Sequence, residues 1–180
     1  MQKRVFILTG TPGVGKTTVL TRTVEALKAQ GVSAGGMISR EVRKSGVRVG
    51  FEIIDLTNGN LGWLAQVSQK SGPQVGKYRV NIKDLENVGA KAIAEAVEKC
   101  DVVAIDEIGP MELFSPTFKQ AVKQALNSQK PVLAVMHAKA IDTLINEAKR
   151  REDAETFTVT PANREDLPEL LTKRIFDLCS

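Results

Sequence analysis

The chain has 180 residues, of which 42% are hydrophobic and 26% charged, an ordinary composition for a globular protein and one that predicts a single domain over residues 1–180. The net charge of +4 comes from scattered basic residues, which suits a polyphosphate ligand and argues against a nucleic-acid-binding protein. No apolar run approaches the roughly 18 residues that span a membrane.

Residues 1–9 lead directly into a candidate ligand loop, which argues against a cleavable leader. The two cysteines, Cys100 and Cys179, have no metal-ligand spacing and indicate reduced thiols. A short basic cluster at Lys149–Arg151 is interpreted as a solvated helix end. We therefore expect a cytoplasmic monomer that contacts neither membrane nor nucleic acid.

The first strand is predicted at about Arg4–Thr9 and the first helix at about Lys16–Gln30. Between them, Gly10–Thr17 matches the phosphate-binding template G-x-x-x-x-G-K-[ST] at every fixed position. Glycines let the backbone curl so that its N–H groups point at phosphate oxygens, and the helix N-terminus adds partial positive charge. Lys16 would then reach the β- and γ-phosphates, and Thr17 would offer its hydroxyl to Mg²⁺.

A second strand is predicted at Val32–Arg40, where Gly35-Gly36 indicates a bulge or a close approach of two backbones. Residues 41–81 then form a β-rich insertion, because alternating patterns flank an Asn58-Gly59 hairpin signal. Ser71–Gly76 is expected to be loop. The strands of the insertion are predicted at about Val47–Ile53, Leu61–Val67 and Tyr78–Asn81.

Strands and helices alternate after the insertion. The runs Val102–Ile105 and Val132–Val135 are continuously apolar, which is typical of strands buried on both faces. Alternation of this kind predicts a three-layer α/β fold with a mostly parallel sheet flanked by helices. The strands are predicted at Asp101–Asp106, Pro131–Met136 and Glu155–Thr160, and the helical stripes at Leu85–Val97, Phe118–Leu126, Ile141–Ala148 and Leu167–Leu178.

Two acids end the strand that begins at Asp101. Asp106 is expected at the carboxyl edge of the sheet, where the phosphate-binding loop also emerges, and is the candidate Mg²⁺ ligand. Glu107 is the candidate general base for an attacking water. Glu112 competes for that role, since Gly109-Pro110 would turn the chain over the site, and the sequence leaves the choice open.

Weaker candidates surround these motifs. His137, the only histidine, follows a predicted strand and would sense the γ-phosphate, polarise the attacking water or serve a structural role. Arg40, Arg43 and Arg164 are the choices for a charge-stabilising arginine. Asn163 either contacts the nucleotide base together with Arg164 or caps a helix.

The sequence resembles the small thermophilic nucleoside-triphosphatases of archaea and bacteria, which are related to the vertebrate cancer-related nucleoside-triphosphatase. The resemblance rests on Gly10–Thr17, on Asp106–Glu112 and on Thr160–Arg164, and it covers nearly the whole chain. It implies the P-loop NTPase fold and slow, Mg²⁺-dependent hydrolysis of ATP, GTP, CTP and UTP at the γ-phosphate.

Two other functions remain open. A nucleotide or small-molecule kinase would share the loop but would need an arginine-rich lid, which the sequence does not show. An NTP-dependent switch or RNA-associated protein would need an aromatic platform, and aromatic residues are only 4% of the chain. The candidate catalytic residues are Lys16, Glu107 and Glu112; the metal ligands are Thr17 and Asp106; the nucleotide-binding residues are Gly10, Thr11, Pro12, Gly13, Val14, Gly15, Lys16, Thr17, Thr18, Asn163 and Arg164.

Overall fold

A nine-stranded mixed sheet with helices on both faces organises all 180 residues of the computed structural model. The strands are β1 (Val5–Thr9), β2 (Ala34–Lys44), β3 (Val47–Asp55), β4 (Leu61–Gln66), β5 (Gln74–Val75), β6 (Tyr78–Val80), β7 (Val102–Ile108), β8 (Val132–Met136) and β9 (Ala154–Thr158). The helices are α1 (Lys16–Ala29), α2 (Ile82–Asp84), α3 (Lys91–Lys99), α4 (Pro116–Asn127), α5 (Thr143–Arg150) and α6 (Leu167–Cys179), with a π-helical stretch at Leu85–Ala90 and a 3₁₀ turn at Glu112–Phe114. The strand order is β5-β6-β4-β3-β2-β7-β8-β1-β9.

The parallel half of the sheet, β2-β7-β8-β1-β9, confirms the predicted three-layer α/β architecture. Its central strands are buried on both faces, as their continuous apolar runs predict. One face packs against α1 and α6 through residues such as Leu20 and Leu171. The other packs against α3, α4 and α5 through residues such as Ile93, Val122 and Ile145.

The predicted β-rich insertion is a continuation of the same sheet. β2 pairs with β7 only as far as Ile38, runs on to Lys44, and turns back as β3, so that β3, β4, β6 and β5 extend the sheet antiparallel. The Asn-Gly signal is confirmed, because the turn between β3 and β4 contains Gly59 at φ 74°. The expected loop Ser71–Gly76 contains the short strand β5, since Gln74 and Val75 pair with Arg79 and Tyr78.

Several predicted boundaries were wrong; the strand predicted to end at Arg40, for example, continues to Lys44 as β2. The strand predicted to end at Asp106 continues to Ile108, because its hydrogen bonding to β8 resumes after an irregularity at Glu107. The helix predicted from Ile141 begins at Thr143, where the Asp142 side chain accepts a hydrogen bond from the Leu144 N–H and caps the first turn. Ile141 is consequently 97% exposed.

Gly36 resolves the choice between bulge and close approach in β2. A Cβ at this position would lie 1.9 Å from the carbonyl oxygen of Ala104 in the neighbouring strand β7, and the residue has φ 116°. A side chain here would force β2 away from β7. The glycine therefore allows the pairing that keeps Asp106 in register within the sheet.

Candidate active site

The phosphate-binding loop connects β1 directly to α1, which is the strand–loop–helix context that this motif requires. Gly15 is the N-cap of α1 with φ 115° and ψ 20°, a backbone conformation that favours glycine. No acidic side chain occupies the first turn of α1, so its N-terminal N–H groups face no competing carboxylate from that turn. The local geometry therefore suits an anion.

Lys16 lies across the mouth of this loop. Its Nζ donates hydrogen bonds to the carbonyl oxygen of Gly10 at 2.7 Å and to that of Thr11 at 3.4 Å. These neutral acceptors leave the ammonium charge uncompensated, so an anion bound in the loop would offer it a stronger partner.

Arg164 also lies against the loop. Its Nη1 donates a hydrogen bond to the carbonyl oxygen of Val14 at 3.3 Å, and a Cβ on Gly15 would lie 3.4 Å from its Cδ. The loop after β9 thus brings a cation that is 150 residues distant in sequence to the phosphate-binding loop.

Asp106 stands at the same level of the sheet as the end of β1. Val135 of β8 is the register partner of both Leu8 in β1 and Asp106 in β7, so one intervening strand separates the phosphate-binding loop from this acid. Asp106 is 4% exposed, and its Oδ2 is buried without a hydrogen-bond partner. Burial raises the pKa of Asp106 to about 6, although the nearby Thr17 hydroxyl opposes the shift.

A buried carboxylate oxygen without a partner calls for a proton or a cation. The Asp106 and Thr17 oxygens are hard ligands of the kind that Mg²⁺ prefers. No group of three or more His, Cys, Asp or Glu side chains is arranged to hold a metal ion, so a cation here would need further oxygens from phosphates and water. The residues present therefore fit a phosphate-bound Mg²⁺.

The two candidate bases differ in exposure. Glu107 occupies the irregularity in β7, is partly exposed, and packs its carboxylate against Gly109. Glu112 is only 2% exposed and accepts a hydrogen bond from the Gly109 N–H at 3.2 Å. Burial, together with repulsion from Glu107, raises the pKa of Glu112 to about 8. Glu107 alone is open to water, so the geometry favours it as base, and both assignments stay predictions.

His137 follows β8 directly, as its position in the sequence predicts. Its backbone N–H donates to the carbonyl oxygen of Ile108 at 3.1 Å, and its Nδ1 accepts from the Lys139 N–H at 3.2 Å. The imidazole therefore presents Nε2 as its remaining donor. It faces a cleft beside the phosphate-binding loop that also contacts Lys16, and its proposed γ-phosphate role stays a prediction.

The remaining residues that the sequence proposed for the site already have hydrogen-bond or ion-pair partners within the protein. Asn163 uses both ends of its amide within its own loop, accepting from the Thr160 N–H at 2.8 Å and donating to the Thr158 carbonyl oxygen at 2.9 Å. Arg40 pairs with Glu52 across β2 and β3. Arg43 pairs with Glu41 near the far end of the same hairpin.

Sequence reasoning missed three residues that line the cleft beside the loop: Thr9, Lys139 and Lys149. Thr9 is the last residue of β1, and Lys139 follows His137 closely, so proximity to recognised motifs was the available signal. Lys149 gave none, because the cluster Lys149–Arg151 has the pattern of a solvated helix end. In the fold, Arg151 bonds to Asp153 while Lys149 faces the cleft.

Comparison with known proteins adds the family. Residues 5–172 match the model of the family NTPase_1, described as NTPase. The nucleoside-triphosphatase THEP1 of Thermofilum pendens is 48% identical over 179 residues, covering 99% of this chain and 98% of that protein. The nucleoside-triphosphatase THEP1 of Methanosarcina acetivorans is 48% identical over 168 residues, covering 93% of this chain and 94% of that protein.

Two solved structures share the architecture. The crystal structure of THEP1 from Aquifex aeolicus has a TM-score of 0.84 and 33% identity, covering 95% of this chain and 98% of that one. The solution structure of a human cancer-related nucleoside triphosphatase has a TM-score of 0.78 and 36% identity, covering 95% and 96% of the two chains. None of the helices is both long and apolar enough to cross a membrane.

Proposed function

The chain belongs to the NTPase_1 family and is a nucleoside-triphosphatase, and from that premise we propose that it cleaves the γ-phosphate of ATP, GTP and other nucleoside triphosphates with Mg²⁺ and little base preference. The observation that carries this proposal is the buried, unpaired Asp106 Oδ2 close to Thr17 at the mouth of the phosphate-binding loop.

The triphosphate is held by Gly10–Thr18. Backbone N–H groups of this loop and the N-terminus of α1 bind the β-phosphate. Lys16 exchanges its carbonyl partners for β- and γ-phosphate oxygens, where its charge stabilises the transition state. Arg164, which already lies against Val14 and Gly15, adds further positive charge.

Thr17 and Asp106 would hold the Mg²⁺, with Asp106 acting through coordinated water. The ion would supply positive charge against the β- and γ-phosphate oxygens. Binding a cation also satisfies the Asp106 Oδ2 that is otherwise buried without a partner.

Glu107 accepts the proton of the attacking water. The water oxygen forms a bond to the γ-phosphorus while the bond from that phosphorus to the β–γ bridging oxygen breaks. The electron pair stays on the nucleoside diphosphate, and the products are that diphosphate and orthophosphate. Partial exposure of Glu107 supports this role, because the base must meet a water molecule.

We expect weak selection among nucleotide bases, because the loop after β9 has few polar groups free to hydrogen-bond a base. Base discrimination needs polar groups that are left unpaired by the wrong base. Both ends of the Asn163 amide are occupied by backbone groups of Thr158 and Thr160. Arg164 contacts a base through a stacked guanidinium plane, which every base accepts.

The free thiols Cys100 and Cys179 support a reducing compartment, in keeping with a cytoplasmic monomer. Nine of the eleven candidate nucleotide-binding residues form the contiguous segment Gly10–Thr18, so a single chain suffices for nucleotide binding in this proposal.

The test follows the label of γ-labelled ATP and GTP in the presence and absence of Mg²⁺, with and without pooled nucleosides, nucleotides and RNA. We expect free labelled phosphate without any acceptor, at similar rates for both nucleotides, and loss of turnover when EDTA removes the metal. Transfer of the label to an acceptor would replace hydrolysis by a kinase reaction. Turnover that survives EDTA would remove the metal from the proposal.

A further inference from the structure

A cleft of about 570 Å³ opens beside the phosphate-binding loop. Its walls come from four segments that are distant in sequence: the first limb of the phosphate-binding loop, the loop after β8, helix α5 and the loop after β9. Thr17, Asp106 and Glu107 do not line it. The cleft is therefore a neighbour of the metal and base residues, and it shares Gly10, Thr11, Pro12, Val14 and Lys16 with the phosphate-binding loop.

Every titratable side chain that lines the cleft is basic. These groups are Lys16, His137, Lys139 and Lys149, and no aspartate or glutamate lines the cleft. Lys139 and Lys149 take part in none of the chain's ion pairs. Converging positive charge without a carboxylate favours an anionic ligand.

Thr9 supplies an independent observation. Thr9 lines the cleft, and its Oγ1 is buried without a hydrogen-bond partner. Buried hydroxyl groups in folded proteins are almost always paired, so an unpaired one beside a cavity indicates a partner that enters the cavity. A ligand with strong acceptor oxygens would satisfy this hydroxyl and the basic groups together.

We propose that this cleft is a second phosphate site, which binds a phosphate group next to the position of the γ-phosphate. The ligand chemistry is a tetrahedral oxyanion with several acceptors, and it comes either from released orthophosphate or from the phosphomonoester of a second nucleotide. Lys139, Lys149 and the His137 Nε2–H supply charge-assisted donors, and Thr9 supplies a neutral one. The source of the phosphate rests on the proposed function, because hydrolysis would release it. The binding of phosphate rests only on the residues that line the cleft.

The test measures binding without turnover. The full chain is saturated with Mg²⁺ and ADP, which fills the nucleotide site, and orthophosphate is titrated by calorimetry. We expect saturable binding that Lys149→Gln and Thr9→Val each weaken about tenfold, as the loss of one hydrogen-bond donor to a charged group predicts. Arg150→Gln is the matched control, because it removes the same charge from the next residue of α5, which does not line the cleft.

Equal affinities of Lys149→Gln and the parent chain would overturn the proposal, as would equal losses in Lys149→Gln and Arg150→Gln. The second arm titrates adenosine monophosphate under the same conditions. Tighter binding than orthophosphate assigns the cleft to a second nucleotide, and weaker binding assigns it to the released product. A chain that binds phosphate in this way but releases none from ATP would retain the cleft and lose the proposed hydrolysis, so the two failures are distinguishable.

Discussion

The two halves of the sheet differ in whether they contain buried polar oxygens without a hydrogen-bond partner. In the antiparallel half, β3 to β6 with the distal part of β2, five charged groups form ion pairs with one another. Arg40 pairs with Glu52, and the Arg48 guanidinium donates to Glu41 and to the Tyr78 hydroxyl at 2.7 Å. In the parallel half, charged groups such as Glu155 also form ion pairs, but Asp106 Oδ2 and Thr9 Oγ1 are buried without a hydrogen-bond partner.

This difference between the two halves indicates which part of the sheet binds ligands. Residues 40–80 contain seven basic and three acidic residues, a balance of +4 that equals the net charge of the whole chain. Five of these groups, three basic and two acidic, are joined in ion pairs. Exposed ion pairs of this kind contribute only a little to the free energy of unfolding. The unpaired oxygens lie at the carboxyl edge of parallel strands, where α/β sheets bind ligands.

The largest expected effect comes from removing the charge at the phosphate-binding loop. Lys16→Ala should lower kcat for ATP hydrolysis by about 10³-fold, because the transition state loses its nearest protein cation. The paired control is Lys44→Ala at the far end of β2, which should leave kcat within about twofold since that lysine is exposed and distant in register from Asp106. Steady-state release of phosphate measures both, and equal losses would break the contrast between the halves.

The next effect separates the two candidate bases. Glu107→Gln should lower kcat on the order of 10²-fold and keep nucleotide binding, because it removes a proton acceptor without changing the shape of the site. Glu112→Gln should lower kcat less, since the buried amide can still accept the hydrogen bond of the Gly109 N–H. Single-turnover hydrolysis with separately measured affinity decides the assignment, and the reverse order of the two losses would make Glu112 the base.

A pH dependence of stability sharpens the comparison further. The pKa of Glu112 is about 8 in the folded chain, well above its unfolded value. At pH values between these two pKa values, Glu112 is therefore protonated in the folded state and ionised in the unfolded state. The stability that this group contributes is complete below the unfolded pKa and is lost as the pH rises through about 8. Urea unfolding of the metal-free chain should therefore show a decline over this range that Glu112→Gln flattens.

Glu41 in the antiparallel half should behave in the opposite sense. Its hydrogen bond with Arg48 holds the pKa of the Glu41 carboxyl below its ordinary value, so its small contribution is present above the unfolded pKa and is lost as the pH falls. Glu41→Gln should leave the decline between neutral and alkaline pH unchanged. A flattened decline in this variant would contradict the assignment to Glu112.

The smallest effect is purely structural. Arg48→Ala removes the hydrogen bond to Tyr78 and the stacking over Phe51, where the guanidinium carbon lies 5.1 Å from the ring centroid. It should reduce the free energy of unfolding by about 1 kcal/mol, as expected for a partly exposed cation–π contact with a hydrogen bond. Thermal unfolding measures the loss, and phosphate release should stay unchanged. Impaired hydrolysis would give the antiparallel half a catalytic role.

Sequence patterns located most of the elements that carry the site. The runs at Val102–Ile105 and Val132–Val135 predicted buried strands, because parallel strands covered on both faces are typically continuous apolar runs. The pattern failed at Ile141, since an apolar residue at helical spacing was outweighed by the capping of α5 at Asp142. The residue at which a helix begins or ends can depend on a single hydrogen bond of this kind.

The sequence alone located the phosphate-binding loop and proposed Asp106 as its acidic partner. Gly10–Thr17 is contiguous, and its glycines and its following helix define the anion-binding geometry within one short segment. The tertiary structure decided which distant residues join it. The position of β8 between β1 and β7 aligns Asp106 with the loop. The same fold brings Thr9, His137, Lys139 and Lys149 around one cleft. Local sequence patterns do not predict this arrangement, because strand order is set by packing between segments that are distant in sequence.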